Sequence, residues 1–328
     1  MRRVICVLLA ASTAFGWGVR GHHEMNRAAV EGLDSELQFL LAQKEWIVYL
    51  GPIPDSYRTN SEPFLKIFED PNHGWFLEQS SDLMSRPPRS RYEFVVELYE
   101  QYQRTKDKLT NVRWTGTMPY AAVEHYERIK AAFRRVRMGR AQKQDTRFVE
   151  QEAATYIGLL GHYIADGSQP LHITIHHDGW RADNPKKYTE DPRIHGRMES
   201  QFVDLIELTS ADLTPRMAKP VVLDDPFQAI VDHYLKAGRL TETVYEIDRN
   251  GGWADKQNQK GRDLVYQQLA GGAELMRNLI HTAWVKSGVV PGAPQRTGAN
   301  DPAQVTNPIS PNNPAYNPKT GSAPATKQ

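Results

Sequence analysis

Two imidazoles and a carboxylate crowd one short stretch of the chain, His162-Tyr163-Ile164-Ala165-Asp166-Gly167-Ser168-Gln169-Pro170-Leu171-His172. His162 and Asp166 are four apart, so on a helix they share a face, with Cβ atoms about 6 Å from each other. Gly167 and Pro170 then turn the chain, which lets His172 swing back beside that face. Nitrogen and carboxylate groups converging from one helix end suit a zinc half-site. A lone histidine here would read as a core residue, but three such groups in an otherwise apolar segment point to ligation. His195 and Glu199, in Ile194-His195-Gly196-Arg197-Met198-Glu199, repeat the four-residue spacing. An isolated pair of this kind is common on exposed helices, but packed against the first motif the two helices would offer five ligands.

The N-terminus supplies a third element. Arg2 and Arg3 precede the apolar run Val4 to Ala11, and Ala14-Phe15-Gly16 places small residues three and one before a possible cut. This pattern predicts a secretory signal peptide, residues 1–16, cut between Gly16 and Trp17, and hence a secreted or periplasmic protein. The new terminus would be Trp17-Gly18-Val19-Arg20-Gly21-His22. A free α-amino group has a pKa near 7.7–8.0, so a metal can displace its proton at neutral pH. With the Trp17 carbonyl it makes a five-membered chelate, and His22 follows within a turn. Asp55 and His73 lie in the long stretch after the first helical region.

The remaining composition sets the frame for this chemistry. Of 328 residues, 40% are apolar and 24% charged, with 40 Lys and Arg against 39 Asp and Glu. That is ordinary globular composition, with no bias toward a nucleic-acid backbone and no run of 18 apolar residues to span a bilayer. Cys6, the only cysteine, falls inside the signal. An exported chain without disulfides must take any covalent-strength staple from metal ions. From Pro291 to Gln328, eight of 38 residues are proline and most others are small or polar, which predicts a disordered tail. Residues 17–290 are left as one large helical domain or two tightly packed halves.

Helical periodicity runs through that body, predicting an all-α, bundle-like fold. Tyr92, Val95, Val96, Tyr99 and Tyr102 keep one face, and so do Val123, Tyr126, Ile129, Phe133 and Val136 after Pro119. Phe148, Tyr156, Ile157, Leu159 and Leu160 lead a helix that Gly167 and Pro170 stop. Asp191-Pro192 opens another, carrying Phe202, Leu205, Ile206 and Leu208. Residues 226–235 and 260–285 form two more, the second softened by Gly271-Gly272. The long loops at 51–90 and 173–191 should carry function or be pinned by ligands. In the second of these, His176, His177, Trp180 and Arg181 read as a solvated tip.

The set of motifs resembles the superfamily of zinc-dependent phospholipases C and single-strand-specific zinc nucleases, whose mature N-terminal Trp is itself a ligand. The match runs in order over most of residues 17–210: Trp-x4-His, an Asp and a His in the next loop, His-x3-Asp-x5-His with Gln169-Pro170-Leu171, then His-x3-acid. The resemblance implies three zinc ions. Asp55, His73, His162 and Asp166 would hold one. The Trp17 amine and carbonyl, His22 and the other oxygen of Asp166 would hold its neighbour. His172, His195 and Glu199 would hold the third. It also implies phosphodiester hydrolysis by an activated water, with Asp55 as the proton acceptor.

The substrate branch rests on smaller signs. Phospholipase-like members carry His-x3-Glu at the last site, as Glu199 does here, while the nucleases usually carry Asp. The Asp-x-Gly-Gly-Asn turn of the nucleases is replaced by His177-Asp178-Gly179-Trp180, and Gly74, not an aromatic, follows His73. Against choline recognition, Arg20 stands where the phospholipases place an acid, although Tyr57, Trp75 and Phe76 could build an aromatic wall. The expected substrate is a phospholipid head group or another phosphodiester, with single-stranded nucleic acid as the alternative and a non-catalytic zinc-binding helical protein as a further one. No protein partner is implied.

Overall fold

The computed structural model describes residues 17–288 and 313–323, and helices dominate both their number and their packing. The only β pairing among the described residues is an isolated bridge between Asn317 and Ser322. The all-α expectation therefore holds. No helix among these residues is long and apolar enough to cross a membrane. The expected signal peptide lies outside the described residues, as does most of the expected tail. Within the tail, 313–323 forms a turned segment whose Lys319 Nζ reaches Glu100 Oε1 at 2.6 Å.

The hub is the helix Arg147–Ser168, which packs against Met118–Ala141, Gln259–Ser287, Lys44–Leu50 and Gly18–Glu31. Its second half is buried on nearly every side, from Ala153 and Ala154 through Ile157, Leu160 and Ile164 to Ser168. A helix apolar all round belongs in a core; here Ser168 bonds back to the Ile164 carbonyl, and the other buried polar side chains, His162 and Asp166, are the ligand candidates. Small residues set how closely its neighbours approach. A Cβ on Gly161 would come 1.9 Å from Asn26 Oδ1. The Asn26 amide bonds the carbonyls of Ile47 and Gly158 at 3.0 and 3.2 Å, tying three helices together. Helix starts are capped conventionally: Asp225 accepts the Gln228 N–H at 3.1 Å, and Asn258 accepts that of Gly261 at 2.8 Å.

Several periodic faces fall as expected and some do not. Tyr126, Ile129, Phe133 and Val136 are buried. On Arg91–Thr105, however, the core face is Phe94 and Leu98, while Tyr92, Val95 and Tyr99 turn outward. Phe94 wins because its ring packs on Trp75, with centroids 5.2 Å apart, and on Tyr120 at 5.3 Å. Phe148 is also exposed. Gly271-Gly272 do not interrupt their helix, since Gly272 is where Ser168 and Met25 press closest. The stretch 51–90 is not one loop but a chain of short helices, including Ile53–Ser56, Pro63–Glu69 and Ser81–Ser85.

Candidate metal centre

Each ligand candidate reaches the centre from a different local structure. His22 sits in the second turn of Gly18–Glu31, a helix that starts with Trp17 and Gly18 in left-handed conformation, φ 42° and 58°. Gly18 meets the backbone of Glu199 and Ser200, where a Cβ would stand 3.2 Å from Ser200 Cα. Asp55 lies in the short helix Ile53–Ser56, and His73 ends the 3-10 turn Asp70–His73. His162 and Asp166 are on the hub helix, and His172 is on the 3-10 turn Pro170–Ile173 that follows. His195 and Glu199 fall where an α-turn passes into the π-helical stretch Arg197–Phe202. Such π turns are rare and recur at functional sites.

These elements bring all eight side chains into one buried cluster. Three ligand sets have their atoms within 4.8 Å of one another: His22, Asp55 and His162; His73, His162 and Asp166; His172, His195 and Glu199. Asp166 joins the sets with both oxygens. Its Oδ1 is 3.5 Å from His22 Nε2, while Oδ2 is 3.1 Å from His73 Nδ1, 3.3 Å from His162 Nε2 and 3.5 Å from His172 Nδ1. Glu199 Oε2 is 2.8 Å from His195 Nε2 and 3.6 Å from His172 Nε2.

The far side of four imidazoles is tied down, which fixes the nitrogen presented inward. His162 Nδ1 faces the Gly51 carbonyl at 2.8 Å, and His172 Nδ1 faces that of His73 at 2.7 Å. His195 Nδ1 is 3.2 Å from Asp178 Oδ1, and His73 Nε2 is 3.2 Å from Glu69 Oε1. With protons assigned to those outer nitrogens, His162 Nε2 and His73 Nδ1 present lone pairs 3.1 Å apart. His172 Nε2 and His195 Nε2 do the same at 3.1 Å. Two lone pairs at that distance repel unless a proton or a metal cation lies between them.

Both buried charge and missing partners favour a cation. His22 Nδ1 and Nε2, Asp55 Oδ2, Asp166 Oδ1 and Glu199 Oε1 are buried and make no hydrogen bond among the described residues. Buried polar atoms are seldom left so, because each costs roughly 1–3 kcal/mol. In the metal-free chain, burial opposes charge on His162, but Asp166 and Asp55 outweigh it and push its pKa up to about 9. Burial likewise opposes charge on His195, and Glu199 with Asp178 pushes it up to about 10. Burial lowers His22 and keeps it neutral, with the His162 charge adding to the effect. Burial pushes Asp55 up. Five nitrogen donors and three carboxylates without a thiolate fit divalent ions well, so these clusters could hold metal ions.

Trp17 is placed beside the cluster by its indole, whose Nε1 donates to the Ala165 carbonyl at 2.8 Å, one residue before Asp166. The Trp17 carbonyl accepts the Gly21 N–H at 3.1 Å. Arg20, by contrast, pairs with Asp204 at 2.9 Å, and Trp75 is a core residue rather than a wall of the site.

A cleft of about 200 Å³ opens over His73, His172 and His195. Arg58, Arg113 and Arg181 line it with Phe76, Trp114 and His177. The expected solvated tip is therefore part of the site: His177 stacks on Phe76 with centroids 4.8 Å apart, and His176 on Trp180 at 3.9 Å. Glu69 and Asp178 escape a reading by ligand type alone. Glu69 is four before His73, a spacing that signals the contact, whereas Asp178 meets His195 only through the tertiary fold. No protein-family model matches this chain, and searches of the curated proteins and of the solved structures find no match either.

Proposed function

We propose that the chain is an exported, zinc-dependent hydrolase of phosphoric esters, phospholipase C-like, with three ions held by Trp17, His22, Asp55, His73, His162, Asp166, His172, His195 and Glu199. The observation that carries this reading is the buried cluster itself: ligand atoms from separate elements meet with their inner valences unfilled and their outer nitrogens fixed. When bound, such ions supply Lewis acidity to a phosphodiester and bring the pKa of a water toward neutrality.

The chain's own groups supply the rest. Oδ2 of Asp55, buried and without a hydrogen bond, is an acceptor for the proton of an attacking water. Arg58, Arg113 and Arg181 line the cleft with fixed positive charge suited to a phosphate. The hydrogen bonds that His162, His73 and His195 donate to Gly51, Glu69 and Asp178 hold the imidazoles in orientation through turnover, so little reorganisation is needed.

A single-strand nuclease is the second reading, favoured by Trp114, half-exposed in the cleft with the Arg113 guanidinium 5.0 Å from its ring centroid. A base could stack there. The test is metal analysis followed by assays of bis(p-nitrophenyl) phosphate, phosphatidylcholine and single-stranded DNA, each with and without chelator. About three zinc ions per chain and chelator-sensitive release of diacylglycerol support the proposal. Cleavage of DNA alone moves the chain to the nuclease branch, and bound zinc without any hydrolysis leaves a binding protein.

A further inference from the structure

The short helix Pro63–Glu69 is amphipathic in the wrong sense for a packed surface helix. Phe64, Ile67 and Phe68 stand at i, i+3 and i+4, and they are 79%, 66% and 73% exposed. Leu65 beside them is exposed as well. The polar residues point into the protein instead. Glu69 is buried, where it accepts from Tyr163 Oη at 2.6 Å and meets His73 Nε2 at 3.2 Å. Lys66 Nζ bonds the Arg58 carbonyl at 2.9 Å and Asp70 Oδ1 at 3.2 Å. Isolated exposed apolar residues are ordinary, but a contiguous apolar face on one element marks an interaction surface.

We infer that this helix seats the enzyme on a phospholipid surface, with Phe64, Ile67 and Phe68 entering the boundary between acyl chains and head groups. Two observations select that occupant. Cations ring the base of the helix: Lys66, Arg58 and Arg113 all contact the single carboxylate of Asp70. An apolar face with Lys and Arg behind it matches an interface whose acyl region lies beneath a layer of phosphates. Finally, the helix runs directly into the turn Asp70–His73, and Arg58, Asp70 and His73 line the cleft. A head group lifted beside the helix is thus already at the mouth of the metal centre. The inference rests on the phospholipase reading proposed above and adds the means by which an aggregated substrate is reached.

The experiment uses the full exported chain loaded with zinc, and separates docking from chemistry. Flotation with vesicles of phosphatidylcholine and phosphatidylglycerol measures binding whether or not turnover occurs. Bis(p-nitrophenyl) phosphate measures turnover without a surface. Phe64→Ser combined with Phe68→Ser, at exposed positions, should lower vesicle binding about tenfold or more and vesicle hydrolysis with it. Zinc content and soluble-diester turnover should remain at the parent level. Parent protein that stays with the soluble fraction overturns the inference, as does a variant that floats like the parent. A stable dimer that the double variant dissociates assigns the face to a second copy and overturns it as well. Vesicle binding without hydrolysis of any ester would sink the catalytic reading while leaving the docking face intact.

Discussion

Nε2 of His22 stands 3.5 Å from Oδ1 of Asp166, the carboxylate oxygen that His73 and His162 leave to it, since both of those rings lie nearest Oδ2. One side chain thus faces two ligand sets with separate atoms. That division is what the proposed bridging role of Asp166 requires. Asp166→Asn should cost both inner ions together, and turnover should drop by more than the roughly 10–100-fold typical of an outer-shell loss. Metal counting checks it: a variant that retains three ions and full activity has no bridge at this position.

The environment of Trp17 leads to a second expectation. Its indole bonds Ala165 and it is fully buried at the start of its helix. If cleavage frees its amine as a ligand, an extra Met retained before Trp17 should displace one ion of three. Normal metal content in that protein would remove the terminus from the ligand set.

Outer hydrogen bonds should tune individual sites. Asp178 is partly exposed and touches His195 at 3.2 Å, so Asp178→Asn should weaken the His172, His195 and Glu199 site about 10–100-fold without unfolding the chain. Glu69→Gln should act on the His73 side instead. Titration of zinc into the metal-free variants distinguishes the two; equal losses at both sites would contradict the assignment.

The acidity of the metal-free cluster gives a pH dependence with a definite sign. His162 and His195, raised to about 9 and about 10 against about 6.5 when unfolded, give stability that is whole below about pH 6.5 and is lost as pH rises through 9 to 10. Burial opposes the charged form of Asp166, but His162 and His172 hold its pKa well below the usual range, so its share persists above about pH 4 and is lost in stronger acid. Metal binding requires neutral imidazoles and is favoured by rising pH. The gap in Tm between loaded and chelated protein should therefore widen from about pH 6 to about pH 9. A gap that narrows over that range would rule out ligation by these rings.

Packing around the hub gives a further prediction at the residue just before His162. A Cβ at Gly161 would fall 1.9 Å from Asn26 Oδ1, and the amide that ties three helices has no room to move. Gly161→Ala should destabilise the fold by about 1–3 kcal/mol, as overpacked cores do. Thermal melting of the metal-loaded protein measures it.

Local spacing made much of this protein legible. The fourfold spacings His162 to Asp166 and His195 to Glu199 depend only on helical geometry, and so does the stripe from Tyr126 to Val136. Such features are set by neighbours within a turn or two, which the chain order itself specifies. Glu69 shared that spacing with His73 and could have been read the same way. Other features were decided by contacts between distant segments. Asp178 meets His195 only because the loop folds over the cleft, and Phe94 displaces the tyrosine stripe only because Trp75 and Tyr120 are there to receive it. The outward face of Phe64, Ile67 and Phe68 belongs with these, since periodicity reports that a helix has an apolar side but not which way it turns. That direction is fixed by the buried bonds of Glu69 and Lys66, which outweigh the hydration cost of the exposed rings. A chain encodes its local geometry directly, whereas the choice of partners across the core emerges from the competition among all its surfaces at once.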